Sequence, residues 1–204
     1  MKRSLFIRCA MLAMIVSSIM TGGCVASKPS KFYMLQALST AGPETPAATA
    51  EQGLAVGVGP VAFPDYLDRP QMVTRTGQNE LRLAEFDRWA GPLDENFAQV
   101  LADNLSTLLA TDRVALFPWP KSTPIDYQVA VEVTQFDGAP GGMVLLTARW
   151  TLRSGDGQNT LAMRKSSISE SAGGADYAAL AAAQSRAVAR LSREVAAAIQ
   201  SLGH

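Results

Sequence analysis

The chain has 204 residues, 48% of them hydrophobic and 18% charged, enough for one globular domain and unlike a polytopic membrane protein. Eighteen Lys and Arg balance eighteen Asp and Glu, which excludes the basic footprint of a nucleic-acid binder. The only histidine is His204 and the only cysteines are Cys9 and Cys24, so the sequence cannot build a Ser-His-Asp or Cys-His nucleophile, an internal His or Cys zinc site, or a disulfide framework.

In chain order, Met1-Lys2-Arg3 is a short basic head that Arg8 extends, and Cys9 to Met20 is apolar apart from a thiol and the hydroxyls of Ser17 and Ser18. A membrane-crossing helix needs about 20 apolar residues, so this shorter run reads as the hydrophobic region of a secretory signal peptide spanning residues 1–23. Thr21-Gly22-Gly23-Cys24 has the form of a bacterial lipobox, with Thr21 where leucine is commonest. Cleavage after Gly23 would leave Cys24 as the lipidated first residue, and several acyl chains at about 0.8 kcal/mol per buried methylene would anchor it stably. Val25 follows, where an aspartate would signal inner-membrane retention, which favours the outer membrane and its periplasmic face. Loss of Lys2, Arg3 and Arg8 leaves 15 positive charges against 18 negative, a mildly acidic mature chain. Residues 24–31 are the lipidated cysteine and its tether; Val25 to Lys31 reaches about 25 Å at most, which keeps the domain at 32–204 close to its membrane.

Phe32 to Leu35 reads as a first strand, and Ser39 to Gly53 as a Pro, Thr and Ala-rich connector. Leu54 to Val58 is a second strand, ended by Gly59-Pro60, and a Pro-rich loop runs from Phe63 to Pro70. Met72–Arg75 and Glu80–Phe86 flank Gly77-Gln78-Asn79 as a hairpin. From Leu93 the apolar residues Phe97, Val100, Leu101, Leu105, Leu108 and Leu109 recur at helical spacing, with Pro92 in the first turn and Asp94 and Glu95 where the macrodipole favours negative charge. A short run at Val114–Phe117 meets the breaker Pro118-Trp119-Pro120.

Strand alternation then becomes clean: Tyr127, Val129, Val131 and Val133 on one face, a turn at Gly138–Gly142, and Val144, Leu146, Ala148, Trp150 and Leu152 on one face of the return strand. Gly155-Asp156-Gly157 turns into a weaker strand over Thr160–Ser169. An Ala-rich helix from about Ala175 to Leu202 carries the stripe Tyr177, Leu180, Gln184, Val188, Leu191, Val195, Ile199 and Leu202. The stripe approximates a heptad, as a coiled coil with a partner would require, but its many alanines better suit a long helix lying close on a sheet. These elements predict a single-domain α+β fold, one antiparallel or mixed sheet with two long helices packed on it.

No constellation points to catalysis. Asp65, Asp68 and Arg69 read as an ordered surface turn in preference to an acid/base pair, and Gly57-Val58-Gly59-Pro60 lacks both the donor and the following helix of a phosphate loop. Trp89 and Trp150 read as core aromatics, with Trp89 placed to cover a groove before the helix start. Accordingly, no catalytic residue, metal site or cofactor is expected.

Val58-Gly59-Pro60-Val61, the run Pro64-Asp65-Tyr66-Leu67-Asp68-Arg69-Pro70-Gln71-Met72-Val73, and Arg88-Trp89-Ala90-Gly91-Pro92-Leu93 closely resemble the auxiliary lipoproteins of ABC-type transporters, the PqiC/YmbA family. Phe32-Tyr33-Met34-Leu35 and Leu191-Ser192-Arg193-Glu194-Val195 fit as well; Gly91 stands where members usually carry an acidic residue. The resemblance implies an outer-membrane-anchored subunit without enzymatic activity, working with an MCE-domain (PqiB-like) protein and an inner-membrane transporter in lipid traffic and envelope integrity. Tyr66, Leu67, Asp68 and Arg69 are the candidate interface, with an MCE partner or with further copies of the chain, because Tyr and Arg anchor interfaces and Pro64 and Pro70 limit the loop's entropy loss. The alternative is a stand-alone periplasmic lipid carrier, which would require an apolar pocket. An enzyme would require clustered, pKa-shifted acids in a cleft.

Overall fold

A computed structural model describes residues 28–39 and 53–202. The segment read as a signal peptide, with Gly23 and Cys24, and the connector at 40–52 lie outside the described residues. Eight strands and two helices follow in the order β1 (Lys31–Tyr33), β2 (Val56–Ala62), β3 (Gln71–Arg75), β4 (Leu81–Trp89), α1 (Leu93–Leu109), β5 (Val114–Leu116), β6 (Tyr127–Gly138), β7 (Met143–Ser154), β8 (Thr160–Ser171) and α2 (Tyr177–Leu202), with a 3-10 turn at Asp65–Leu67 between β2 and β3. The α+β class and both long helices are as the sequence predicts.

Two sheets replace the single one expected. The larger has the order β5-β2-β6-β7-β8, with β2 parallel to both neighbours and β6, β7 and β8 antiparallel; the smaller has the order β1-β4-β3. The hairpin of β3 and β4 cannot continue the large sheet, because β2 is already flanked on both sides by β5 and β6. The outer edge of β4 is taken by the short parallel strand β1, and β3 remains the other edge of the small sheet.

Alternation builds the large sheet's inner face. Val144, Leu146, Ala148, Trp150 and Leu152 are all fully buried, opposite Val129, Val131 and Val133 of β6. Beyond Val133 the register slips by one residue, so that Phe136 turns into the core and Asp137 to the opposite face. Phe136, Phe97 of α1 and Phe63 meet edge-to-face, with ring centroids 5.3 to 6.1 Å apart. Trp150 donates its indole N–H to Ser166 Oγ at 3.0 Å, and that hydroxyl donates to Glu194 of α2, joining sheet and helix by a polar chain.

Both helices lie on the large sheet and on each other. Leu180, Gln184, Val188, Leu191, Val195 and Ile199 of the α2 stripe are buried within the chain, which leaves a coiled-coil partner no seam to occupy. Alanines at 181, 183, 187, 189, 196 and 198 are buried too, and this wide small-residue face lets α2 sit close. No described helix is long and apolar enough to cross a membrane.

Residues 34–39 form a strap from β1 along the helices. Its backbone N–H groups lack a strand partner and are instead accepted by helix side chains: Leu35 by Asn96 Oδ1 (2.7 Å), Gln36 by Ser185 Oγ (3.1 Å) and Leu38 by Asn104 Oδ1 (2.7 Å). Asn104 in turn donates to Ser192 Oγ at 3.0 Å, so the strap also ties α1 to α2.

Candidate functional site

A concavity of about 680 Å³ opens beside the N-terminus of α1. Its walls come from five places in the chain: Tyr33 and Met34 where β1 enters the strap, Val58 to Val61 of β2, Trp89 to Pro92 from the end of β4 to α1, the first turns of α1, and Leu116-Phe117 at the end of β5.

Each wall has a local cause. The sequence predicts that Gly59-Pro60 ends the second strand; instead β2 continues to Ala62 across a register shift between Val58 and Val61. Gly59 has φ +120°, and a β-carbon there would stand 2.6 Å from Phe117 Cβ, so glycine both makes the bend and admits Phe117 beside it. Phe117 donates its N–H to Val58 O at 2.9 Å. Its ring packs edge-on against Trp119 at 5.6 Å, and Trp119 lies over Gly57, where a β-carbon would come within 2.7 Å of the indole. Phe117 is therefore braced from behind while 54% of it remains exposed.

On the facing side Ala90 donates its N–H to Tyr33 O at 2.9 Å and Trp89 donates to Pro70 O at 2.7 Å, so the link into α1 is tied to β1 and to the end of the Pro-rich run. Pro92 occupies the cap position ahead of Leu93, without a side-chain cap. Space around Gly91 is open: a β-carbon there would meet nothing within 4 Å, so the position accommodates a side chain as readily as glycine. Tyr33 donates its hydroxyl to Asp87 Oδ1 at 2.8 Å; burial first, and that bond second, push the phenol up to about 12. Trp89 is buried and also lines the groove, as both sequence readings of it require.

The Pro64–Pro70 run forms a compact 3-10 turn next to this groove. Leu67 is buried, Tyr66 and Arg69 are half-buried, and Asp68 is exposed. Thus two of the four candidate interface residues, Tyr66 and Leu67, turn inward, and Asp68 with the flank of Arg69 forms the outer edge. Asp65, Asp68 and Asp94 line a small cleft of about 140 Å³ together with Phe63, Leu67 and Leu93, and Asp94 also lines the large groove. Turn and groove therefore form one continuous surface.

A polar clasp that the sequence reading did not single out holds the turn. Asp137, its side chain 1% exposed, accepts from Tyr66 Oη (2.9 Å), Arg75 Nε (2.9 Å), Arg75 Nη2 (2.7 Å) and Gln135 Nε2 (3.0 Å). Burial alone would raise its pKa; the hydrogen bonds from Arg75, Gln135 and Tyr66 outweigh that and hold the carboxyl below its ordinary value of 3.8. Burial and the Asp137 bond push Tyr66 up to about 12. This clasp joins the 3-10 turn, β3 and β6. The available signal was the aspartate in an otherwise apolar strand end, Phe136-Asp137-Gly138, once the register shift is known.

Chemically, the arrangement offers an apolar binding area edged by carboxylates. Among the described residues no group of three His, Cys, Asp or Glu is placed to hold a metal ion. The buried carboxylate of Asp137 is surrounded by donors and closed off from solvent.

Fold and groove together define a small α+β module with a pinned N-terminal strap. Residues 33–196 match the family described as the ABC-type transport auxiliary lipoprotein component, and the chain belongs to that family. It is 30% identical over 138 residues to the intermembrane transport lipoprotein PqiC of Escherichia coli K12, covering 67% of this chain and 71% of that one. Two crystal structures share the fold: an uncharacterized protein (TM-score 0.66, 24% identity, 84% of this chain and 99% of that one) and protein XCC0632 of Xanthomonas campestris (TM-score 0.63, 19% identity, 81% and 92%).

Proposed function

We propose that this protein is an outer-membrane lipoprotein, anchored through Cys24 on the periplasmic face, that serves an intermembrane lipid-transport system as a docking subunit for an MCE-domain conduit. The observation that carries this reading is the convergence of the family's segments on one surface: Val58–Val61 and Trp89–Pro92 line the groove, and Pro64–Pro70 forms the turn beside it. The 30% identity to PqiC, whose name is that of an intermembrane transport lipoprotein, supplies the transport context. In this reading Asp68 and Arg69 belong to the contact surface, while Tyr66 and Leu67 hold its shape. The short tether keeps that surface within reach of the membrane, where the end of a periplasm-spanning conduit would arrive. A stand-alone lipid carrier would enclose its acyl chain, whereas the groove here is open and rimmed by carboxylates.

Membrane fractionation of a deletion strain carrying either wild type or Cys24→Ala tests the anchored role. Wild type should sediment with the outer membrane and restore detergent resistance; Cys24→Ala should do neither. Outer-membrane sedimentation and full rescue by Cys24→Ala would contradict it.

A further inference from the structure

The groove has an apolar floor and a one-signed rim. Met34 and Phe117 are more than half exposed, Leu116 is 37% exposed, and Val58, Pro60 and Trp89 complete the floor. Asp94 and Glu95 are the only charged residues that line it, and among the described residues neither takes part in an ion pair. Asp65 and Asp68 extend the negative rim along the adjoining cleft, where Arg69 of the same turn is half-buried. The connector at 40–52 contains Glu44 and Glu51 and no Lys or Arg, so it offers no cation to complement this rim.

We propose that the groove is the receptor for a short cationic amphipathic segment of a partner protein, with two or three apolar side chains on the Met34–Trp89–Phe117 floor and Lys or Arg residues against Asp94 and Glu95. The inference rests on the docking reading above and names the surface and chemistry that would carry it. Charge complementarity selects this occupant. A phospholipid would bring its phosphate towards two carboxylates, and like charges at a rim disfavour association, whereas a basic flank is steered in and held in register. The volume, about 680 Å³, lies in the range of sites that hold a few buried side chains. Preorganisation adds to affinity, because Phe117 is braced by Trp119 and Met34 belongs to a strap held by helix side chains, so little conformational freedom is lost on binding. Apolar anchors surrounded by steering charges are the usual pattern of helix-in-groove recognition.

The test is site-specific photo-crosslinking in cells, with the full lipidated chain carrying a photoreactive amino acid at Met34 or Phe117 and, as control, at the exposed Met163 of β8. Mapping of the crosslinked peptide should give an envelope-protein segment in which apolar residues are flanked by Lys or Arg, absent from the Met163 control. In an Asp94→Asn, Glu95→Gln background the yield should fall about tenfold, with the thermal midpoint lowered only by the few degrees that the loss of two charges from the first turn of α1 costs. Crosslinks to lipid, to a second copy of this chain, to a segment without basic residues, or no crosslink at all would overturn the proposal. So would an unchanged yield in the neutralised variant. If the groove fails while an MCE protein still co-purifies with a Met34→Ser, Phe117→Ser variant, docking stands and takes place elsewhere; if co-purification fails with wild type, the docking reading itself is lost.

Discussion

The meander of β6, β7 and β8 under α2 and the region around β1, β2 and the start of α1 are built differently. In the meander, twelve-residue strands pair in nearly continuous register, and the inner faces of β6 and β7 are apolar, while β8 adds Ser166 and Arg164 beside Trp150. The other region holds three-residue strands, a bulged β2, a 3-10 turn, and a strap whose backbone is satisfied by side chains. Regular pairing satisfies backbone groups internally and leaves little to a partner. Irregular backbone, held by specific side chains, leaves Phe117, Met34 and the carboxylate rim outward on a rigid frame. The first region makes the domain stable, and the second carries the surface proposed for docking.

The largest effect expected belongs to the meander. Trp150→Ala removes a fully buried indole and leaves Ser166 without that partner, and should cost about 3 to 5 kcal/mol in denaturant unfolding. A loss below about 1 kcal/mol would mean that the β7 core face does not dominate stability.

Asp137 tests the link between the two regions. Asp137→Ala leaves the Arg75 guanidinium and the Tyr66 hydroxyl without their acceptor; because Arg75 keeps 28% of its side chain in water, the expected loss is about 3 kcal/mol, at the low end for a broken buried pair. Since the folded-state pKa of Asp137 is depressed, its contribution is present above the ordinary carboxylate value of 3.8 and is lost as pH falls through the folded value. Wild type should therefore weaken below about pH 4 more steeply than the variant; parallel acid profiles would contradict the clasp.

Smaller effects sharpen the same contrast. Tyr66→Phe removes one hydrogen bond to Asp137 and should cost about 1 kcal/mol. The folded-state pKa of Tyr66 is raised to about 12 from 10.0, so its contribution is complete below pH 10 and disappears as pH rises through 12. Absorbance titration should accordingly lose one late-ionising phenol in Tyr66→Phe. Ala110, with φ +49° at the end of α1, should accept glycine with a gain of about 0.5 to 1 kcal/mol in chemical denaturation.

Legibility in the sequence follows the same division. The alternation from Val144 to Leu152 and the α2 stripe from Leu180 to Ile199 are governed by burial alone, and the structure places them as the periodicity requires; at the stripe's ends Tyr177 is half-buried and Leu202 exposed. Phe136 and Asp137 escaped that logic because a one-residue slip after Val133 exchanges the faces, and no turn residue announces it. Gly59-Pro60 reads as a strand end; only the close approach of Phe117 shows that it is a bend within β2. The second sheet and the strap depend on long-range partners such as Trp89 for Tyr33 and Asn104 for Leu38, pairings to which periodicity is blind. Tyr66 and Leu67 have the composition of an interface anchor, yet Asp137 and the core claim them from within.

Affinity purification from detergent-solubilised envelopes tests the docking account most directly, with the full-length chain compared in wild-type and Met34→Ser, Phe117→Ser forms. Both side chains are more than half exposed, so the double variant should unfold within about 0.5 kcal/mol of wild type. Wild type should bring down an MCE-domain protein and the variant should lose it. Equal recovery with both forms would move docking away from the groove, and no recovery with wild type would contradict the docking account.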